Sequence, residues 1–240
     1  MINIKGFLGY GFYLIKFIEE KYVDNFFNKG EIHFEPLQYF KNLEDNDGDD
    51  IIGDSYEGAT VYNFSRDNGI DIYWRKLGDT NSPEHIENAS GKITEHLIEE
   101  WRQEICVSCF GWLYDEDFFL FDEKESSYKL SSDALSRLNS FNYSNRVPVI
   151  IRADIFLQKL GINAVKYGNV RYYDENNMEN AFGYDSLVFN KRMKYSSQQE
   201  FRLARNISLL DEYKNLYLGD MKDCAIPVEN LSEFEYKIEW

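Results

Sequence analysis

The sequence predicts one α+β domain over residues 1–240, with a mainly antiparallel sheet and a few short flanking helices. Segments with strand character outnumber those with helical periodicity, and their irregular order differs from the regular alternation of a parallel α/β fold. No internal repeat, low-complexity tract or proline-rich linker divides the chain. Apolar residues make up 43% of the 240 residues and aromatic residues 17%. This composition is sufficient for a hydrophobic core and excludes a disordered chain.

The opening of the chain predicts a strand, a helix and a second strand. Residues 9–17 are aromatic and aliphatic, which is typical of a buried strand. Lys29 and Gly30 supply the cation and the glycine that commonly end a helix. Ile32 and Phe34 then alternate with polar residues as in a strand. The apolar positions that recur at helical spacing are Ile18, Tyr22, Val23, Phe26 and Phe27.

The middle of the chain predicts an exposed acidic loop, three strands and one helix. Residues 43–54 are rich in carboxylates and contain two glycines, so we expect a solvated loop there. Apolar residues between positions 93 and 101 have helical spacing, and residues 105–113 read as a central strand because apolar residues outnumber any alternation. The two further strands are residues 59–64 and 70–74.

The last part of the chain predicts two helices among several strands. Ser131 and Ser132 can cap a helix that carries Leu135, Leu138 and Phe141. A strand over residues 147–151 and a short helix over residues 153–160 follow. The remaining predicted strands are residues 165–173, 184–189, 198–204, 216–218 and 225–228.

The charge and the cysteines indicate the compartment and the partners. The net charge is −16, from 42 acidic and 26 basic residues, and such a field repels phosphate backbones. General nucleic-acid binding is therefore disfavoured, although a local basic site inside the acidic envelope stays open. Three cysteines form an odd set that indicates reduced thiols in the cytoplasm. The sequence offers neither a secretory signal nor 18 consecutive apolar residues, so we expect no membrane partner.

Most motifs of common enzyme classes are missing. The chain has no P-loop, GxGxxG, HExxH or GxSxG motif. His33, His85 and His96 are scattered, so they support neither a metal site nor a catalytic triad. Cys106 and Cys109 have the CxxC spacing but lack a second pair of zinc ligands, which favours structural thiols.

The acidic loop resembles a calcium-binding loop only in part. An EF-hand loop that starts at Asp45 needs a glycine at position 50 and a glutamate at position 56, and the chain has Asp50 and Tyr56 there. A solvated turn is the simpler interpretation, and we predict no metal site. A magnesium-dependent nuclease built on Asp54 and Glu57 is the third-ranked alternative, because the accompanying basic surface is missing.

A polar row near the end of the chain is the most informative segment. If residues 198–204 form a strand, Gln198, Glu200 and Arg202 share one face, while Phe201 and Leu203 point into the core. An amide, a carboxylate and a cation would then stand in line on a rigid element. The structural alternative is an ordinary solvated face of a half-buried strand.

These residues belong to a longer pattern that resembles a known superfamily. Gln198-x-Glu200 on a late strand resembles the final signature of the ADP-ribosyltransferases. The run Lys-x-x-x-Tyr-x-x-Gln-x-Glu-x-Arg over residues 191–202 resembles the end of a group of uncharacterised bacterial and phage proteins. Two further segments resemble the same group: residues 14–36, and the acidic run Gly-Asp-Ser-Tyr-Glu-Gly over residues 53–58.

The resemblance implies a split antiparallel sheet and an NAD-cleaving transferase. Glu200 would be the essential carboxylate that holds the ribose 2′-hydroxyl and stabilises the oxocarbenium ion, and Gln198 would orient the acceptor. The implied cofactor-binding residues are Lys16, Tyr13 and Arg202, with NAD as the substrate. The chain departs from the superfamily in two places. A lysine replaces the usual Arg or His on the first strand, and the Ser-Thr-Ser type segment of the second strand is missing.

The resemblance also implies a biological setting, a toxin or a factor in the conflict between phage and host. The competing hypothesis is a non-catalytic acidic protein of a phage or mobile element that binds and inhibits a host or defence protein. The net charge of −16 favours it directly. The two hypotheses differ in whether Glu200 or the acidic residues 45–50 carry the activity.

Overall fold

The computed structural model shows a mixed α and β architecture in which most strands pair antiparallel. It describes residues 13–47, 53–65, 71–76, 78–87, 89–141, 145–161, 163, 165–177, 187–207 and 214–237. The helices are α1 (Glu20–Lys29), α2 (Leu37–Asn42), α3 (Glu99–Glu104), α4 (Ser132–Asn139) and α5 (Ala153–Leu160). The strands of the first half are β1 (Tyr13–Glu19), β2 (Glu31–His33), β3 (Glu35–Pro36), β4 (Ala59–Phe64), β5 (Ile72–Trp74), β6 (Glu84–Ile86), β7 (Gly91–His96), β8 (Ile105–Leu113) and β9 (Phe118–Asp122). The strands of the second half are β10 (Ser127–Leu130), β11 (Arg146–Arg152), β12 (Lys166–Asn169), β13 (Arg171–Tyr173), β14 (Asn190–Arg192), β15 (Glu200–Asn206), β16 (Asn215–Tyr217), β17 (Ala225–Pro227) and β18 (Glu235–Lys237).

A seven-stranded sheet organises the described residues. Its order is β12-β15-β8-β1-β11-β17, and β3 joins it by pairing with β8. Each of these pairings is antiparallel, which confirms the predicted α+β class with a mainly antiparallel sheet. The one parallel pairing in the described ranges joins β13 to β14. None of the helices within those ranges has the length and apolar character needed to span a bilayer.

The sheet is covered on both faces. One face packs with α1 and α5 in a core that includes Leu14, Phe110 and Phe156. The other face carries a core under α4 around Ile15 and Leu138, and a smaller core under α2. Because β8 lies in the middle, its apolar side chains are buried on both faces, which explains its nearly continuous apolar sequence.

The sheet splits beside the middle of β8. Along one edge, β15 pairs with residues 105–111 of β8 without interruption. Along the other edge, β1 pairs with residues 111–113 and β3 with residues 106–107. Residues 108–110 lie between these two pairings, so their backbone groups on this edge face an opening instead of a neighbouring strand.

The predicted opening is largely confirmed, with one correction. Helix α1 ends at Lys29 and is capped by Gly30, whose φ is 63° and whose N–H donates to Phe26 O at 2.9 Å. A Cβ at Gly30 would lie 2.6 Å from Gly219 O, so the position requires glycine. The assignment of Ile18 to the helix is wrong, because β1 keeps its pairing with β11 as far as Glu19 and Ile18 pairs with Val147. Residues 9–12 of the predicted first strand lie outside the described residues.

Two predictions for the middle of the chain are wrong. Residue Ile93 belongs to β7 and not to a helix, because β7 pairs with β4 over six residues and only α3 is helical. The acidic loop is not fully exposed: residues 43–47 form a π-helical turn after α2, and Asp54 is buried. Residues 48–52 lie outside the described residues. The central strand 105–113 is confirmed as predicted.

The late elements are confirmed except where turns interrupt them. The α5 helix, β11, β16 and β17 lie where the sequence predicts them, and Ser131 Oγ caps α4 by accepting from Ala134 N at 3.2 Å. The predicted strand 165–173 is two strands separated at Val170. The predicted strand 184–189 is wrong in its described part, because residue 187 is helical and residues 188–189 form a turn before β14. The predicted strand 198–204 begins only at Glu200.

Candidate functional site

A cleft of about 800 Å³ lies at the split in the sheet. Its volume falls within the range of small-molecule sites, roughly 300–1,000 Å³. It brings together residues of eight strands, β1, β2, β3, β8, β11, β14, β15 and β16, and of the turn before β15. Its polar lining residues include Lys16, Ser108, Cys109, Lys191, Gln198, Glu200 and Arg202. The structure therefore places Lys16, Gln198 and Glu200 around one cavity.

Glu200 is the first residue of β15 and is only 6% exposed. It pairs with Gly111 of β8, and its backbone N–H donates to the Tyr172 hydroxyl at 2.8 Å. The next residues on the same face, Arg202 and Ala204, are also buried. The interpretation of this row as an ordinary solvated face is therefore wrong, whereas the burial of Phe201 and Leu203 in the core is confirmed.

Gln198 reaches the site by a different route from the predicted one. It is the last residue of a 3₁₀ turn, Met193–Gln198, and does not lie on the strand. Gln199 separates the turn from β15 with a left-handed φ of 44°, and its carbonyl accepts from Trp112 N at 2.7 Å. The reversal at Gln199 breaks the alternation that the sequence pattern assumed.

Lys191 joins the two side chains that the motif had singled out. Its Nζ donates to Gln198 Oε1 at 2.7 Å and to Glu200 Oε2 at 2.9 Å. The side chain of Lys191 is 4% exposed. It lies on β14, which brings it beside the start of β15. An amide and a carboxylate that are two residues apart in sequence are thus fixed by one ammonium group.

Arg202 completes a buried cluster that we call the inner cluster, formed by Glu57, Lys191, Glu200 and Arg202. Arg202 Nε donates to Glu200 Oε1 at 2.7 Å. Its Nη1 and Nη2 donate to the two oxygens of Glu57 at 2.6 and 3.3 Å. Both Arg202 and Glu57 are 1% exposed. Each charge in the cluster therefore has an opposite charge in contact, which a buried ionic group requires.

The inner cluster separates the titration of its two carboxylates. Burial alone would raise the pKa of Glu200, but the charges of Arg202 and Lys191 outweigh burial and hold that pKa far below its ordinary value. Burial raises the pKa of Glu57 in spite of the opposing charge of Arg202. Glu200 is therefore held in its ionised form, and it stands at the wall of the cleft.

Lys16 occupies the opening between β1 and β8. Its Nζ donates to Ser108 Oγ and to Cys109 O, each at 3.0 Å, and lies 4.3 Å from the centre of the Phe110 ring. The lysine thus satisfies a carbonyl that no strand reaches on this edge. Burial lowers the pKa of Lys16 to about 8, and the nearby charge of Arg146 acts in the same direction.

The remaining predicted cofactor residue, Tyr13, does not line the cleft. It is buried in the core on the α4 side of the sheet, and its ring packs edge-on against Phe118 with centroids 5.8 Å apart. Of the cysteines, Cys109 lines the cleft, as Glu200 does. Burial and the charge of Glu200 raise the pKa of Cys109 to about 12, so it stays a neutral thiol.

A second group of charges, the outer cluster, consists of Glu44, Asp54, Arg192 and Tyr195. Arg192 Nη2 donates to Asp54 Oδ1 at 2.8 Å and to Glu44 Oε2 at 3.1 Å. Tyr195 donates its hydroxyl to Glu44 Oε2 at 3.1 Å. None of these four residues is among those that line the cleft. The outer cluster holds the turn before β15 against the segment that contains Asp54.

The two clusters remove the support for the nuclease alternative. Asp54 is bound by Arg192 and Glu57 by Arg202, so arginines already neutralise the two carboxylates that a magnesium ion would need. Within the described ranges, no group of three or more His, Cys, Asp or Glu side chains is placed to hold a metal ion.

The cleft is also lined by four residues that the motif did not indicate, Glu31, His33, Glu35 and Asn215. Asn215 Nδ2 donates to Glu31 Oε1 at 2.6 Å, and its Oδ1 lies 2.6 Å from His33 Nδ1. His33 Nε2 in turn lies 2.8 Å from Glu35 Oε1. The contacts join strands that are more than 180 residues apart in sequence, so spacing gives no signal for them.

The comparisons with known proteins add no relative to this picture. No protein-family model, curated protein or solved structure matches the chain.

Proposed function

We propose that the chain is an NAD-dependent mono-ADP-ribosyltransferase that binds NAD in the cleft beside Glu200. One observation carries the proposal: an ionised, buried carboxylate, an amide and a lysine surround one cavity of suitable size, at residues that resemble the superfamily signature. A phage or host conflict setting, with a host or defence protein as the acceptor, is part of the proposal.

Transfer of ADP-ribose from NAD requires a fixed negative charge beside the positive charge that develops in the transition state. The glycosidic C–N bond breaks, its electron pair leaves with nicotinamide, and an oxocarbenium ion remains until the acceptor attacks the same carbon and loses its proton. A preorganised carboxylate lowers this barrier without reorganisation. Lys191 and Arg202 keep Glu200 ionised and hold its orientation.

Glu200 retains capacity for a substrate hydroxyl. It accepts from Arg202 and Lys191, and a carboxylate offers about four acceptor positions. Acceptor positions thus remain for the ribose 2′-hydroxyl. Lys16 and Arg146 line the same cleft and provide positive charge for the pyrophosphate within an otherwise acidic chain.

The direct test is release of nicotinamide from labelled NAD by the pure protein, with and without host extract. Glu200→Gln removes the charge at nearly constant shape, and we expect the rate to fall at least about 100-fold, as when an electrostatic stabiliser is removed elsewhere. Glu200→Asp keeps the charge but shortens its reach, and should retain partial activity.

Glu229→Gln is the matched control, because it makes the same change at an exposed position outside the cleft. Melting temperatures of all variants separate loss of chemistry from loss of fold. Absence of nicotinamide release by the wild-type protein under every condition would refute the transferase proposal, as would full activity of Glu200→Gln.

A non-catalytic binding protein is the second candidate, favoured by the net charge of −16 together with large apolar side chains on the surface. In that case Glu200→Gln leaves partner binding unchanged, and NAD is not consumed.

A further inference from the structure

Strand β9 presents an unusual run of exposed apolar side chains. Phe119, Leu120 and Phe121 are 46%, 48% and 53% exposed, and they occupy both faces of the strand because consecutive side chains alternate. Scattered apolar residues on a surface need no explanation, whereas a contiguous run is typical of an interaction site.

Among the described residues, the backbone of β9 is paired on one side only. The strand is at the end of a three-stranded sheet with the order β18-β10-β9. Within the described ranges it pairs with β10 alone, through residues 118–122. An edge strand of this kind offers a row of N–H and C=O groups to which an extended segment can add.

Acidic side chains flank the apolar run at both ends. Asp115 and Glu116 precede it, Asp122 and Glu123 follow it, and all four are exposed. The sequence from position 115 to position 125 contains six acidic residues and one lysine. Lys129 on the neighbouring strand lies over the Phe121 ring at 3.7 Å, so its charge is directed at the apolar run and not at the acidic ends.

The charge pattern around β9 indicates which kind of segment can pair with its edge. If a second copy added its own β9 antiparallel, the acidic residues 115–117 of one chain would face residues 122–123 of the other, and a parallel addition would also bring like charges together. Charged residues at the ends of an edge strand are a known protection against such self-pairing. A segment with apolar side chains in its centre and lysines or arginines at both ends would instead make favourable contacts along its whole length.

We infer that β9 is a docking site for an extended basic segment of a partner protein, which adds as a further strand beside it. The inference is independent of NAD chemistry in the cleft, and it holds whether the partner is an acceptor of ADP-ribose or a protein that the chain binds.

The probe is a fluorescent nine-residue peptide, Lys-Lys-Val-Thr-Val-Thr-Val-Lys-Lys, titrated with the full chain and followed by anisotropy. We expect saturable binding, together with slower hydrogen exchange at residues 118–122. Replacing the central valine by proline removes a backbone donor, and replacing the lysines by glutamates reverses the charge. Each peptide change should weaken binding by about tenfold or more.

Two double variants test the surface itself. Phe119→Ser with Phe121→Ser removes the apolar run, and Asp122→Lys with Glu123→Lys reverses one acidic end; both should weaken binding by about tenfold or more. Tyr73→Ser with Trp74→Ser is the matched control, because it removes exposed aromatic rings from another strand, β5. All changes lie at exposed positions, and unchanged melting temperatures verify the fold.

Three outcomes would overturn the inference. The first is the absence of saturable binding by the folded wild-type protein up to about millimolar peptide, the limit of weak specific association. The second is equal binding by the Phe119 and Phe121 double variant and by the control. The third is concentration-dependent dimerisation that the same double variant abolishes, since it would show that a second copy occupies β9.

Discussion

The inner and outer clusters both join carboxylates from residues 44–57 to cations from residues 191–202, yet they differ in depth and in surroundings. In the inner cluster, Arg202 and Glu57 are 1% exposed and Glu200 is 6% exposed. In the outer cluster the Arg192 side chain is 10% exposed and that of Glu44 19%, although Asp54 is only 1% exposed. The inner cluster supplies three residues to the wall of the cleft, and the outer cluster supplies none.

We interpret the outer cluster as a structural contact and the inner cluster as part of the candidate site. Water reaches part of the outer cluster and can hydrogen-bond a charge that has lost its partner. A charge without a partner in the inner cluster is not solvated in this way. The inner cluster is also the one whose carboxylate meets a cavity. Similar ion pairs between the same two stretches of sequence can therefore have different roles, and variants that remove one cation at a time measure the difference.

The largest expected effect is that of Arg202→Met. The substitution keeps the bulk of the side chain but leaves Glu57 and Glu200 buried without their shared guanidinium. Loss of one partner of a buried pair costs about 3–5 kcal/mol, so we expect the free energy of unfolding to fall by at least this amount. Urea denaturation followed by tryptophan fluorescence measures it.

The double variant Arg202→Met with Glu57→Gln is the control for this prediction. It removes one of the two carboxylates that lose their guanidinium partner in Arg202→Met. The double variant should therefore be more stable than Arg202→Met alone. If the double variant is instead less stable by the sum of both single changes, the charges do not act as a coupled cluster.

A smaller effect is expected for Arg192→Met in the outer cluster. Lys194 still donates to Glu44 at 2.9 Å, and Asp54 still accepts from Tyr56 N at 3.0 Å. The loss should therefore resemble that of one hydrogen bond to a charged group, about 1.5–3 kcal/mol. A stability equal to or below that of Arg202→Met, measured by the same urea titration, would show that depth does not distinguish the two clusters.

The sequence predicted the strands and helices whose pattern is local. The central strand 105–113 and the helix 153–160 follow from runs of apolar residues and are found with those bounds. Errors occur where tertiary pairing overrides local periodicity, as at Ile18 and Ile93, which belong to strands because partner strands extend past them.

The candidate site was predictable in its identities but not in its connections. The motif pointed to Gln198 and Glu200, and both line the cleft. It could not show that Lys191 joins them, because that contact depends on a 3₁₀ turn and a left-handed Gln199. Nor could it show that Glu57 meets Arg202, a contact between residues 145 positions apart, since long-range pairing is invisible to periodicity.

The smallest expected effect concerns the pH dependence of the outer cluster. Burial alone would raise the pKa of Glu44, but hydrogen bonds from Ser55 and Lys194 and the charge of Arg192 lower it from 4.5 to about 2. Between these values the unfolded chain binds a proton that the folded chain does not. The stabilisation by Glu44 is therefore fully present above about pH 4.5 and is lost as the pH falls toward about 2.

Glu44→Gln removes this titration while leaving the inner cluster in place. Urea midpoints at several pH values between about 5 and 2.5 should fall less steeply with decreasing pH for this variant than for the wild-type protein. The difference in slope should correspond to about one proton fewer taken up on unfolding. Glu229→Gln, at an exposed position, should keep the wild-type slope. An unchanged slope in Glu44→Gln would mean that the acid sensitivity of the chain resides in the inner cluster, where Glu200 titrates in the same direction as Glu44.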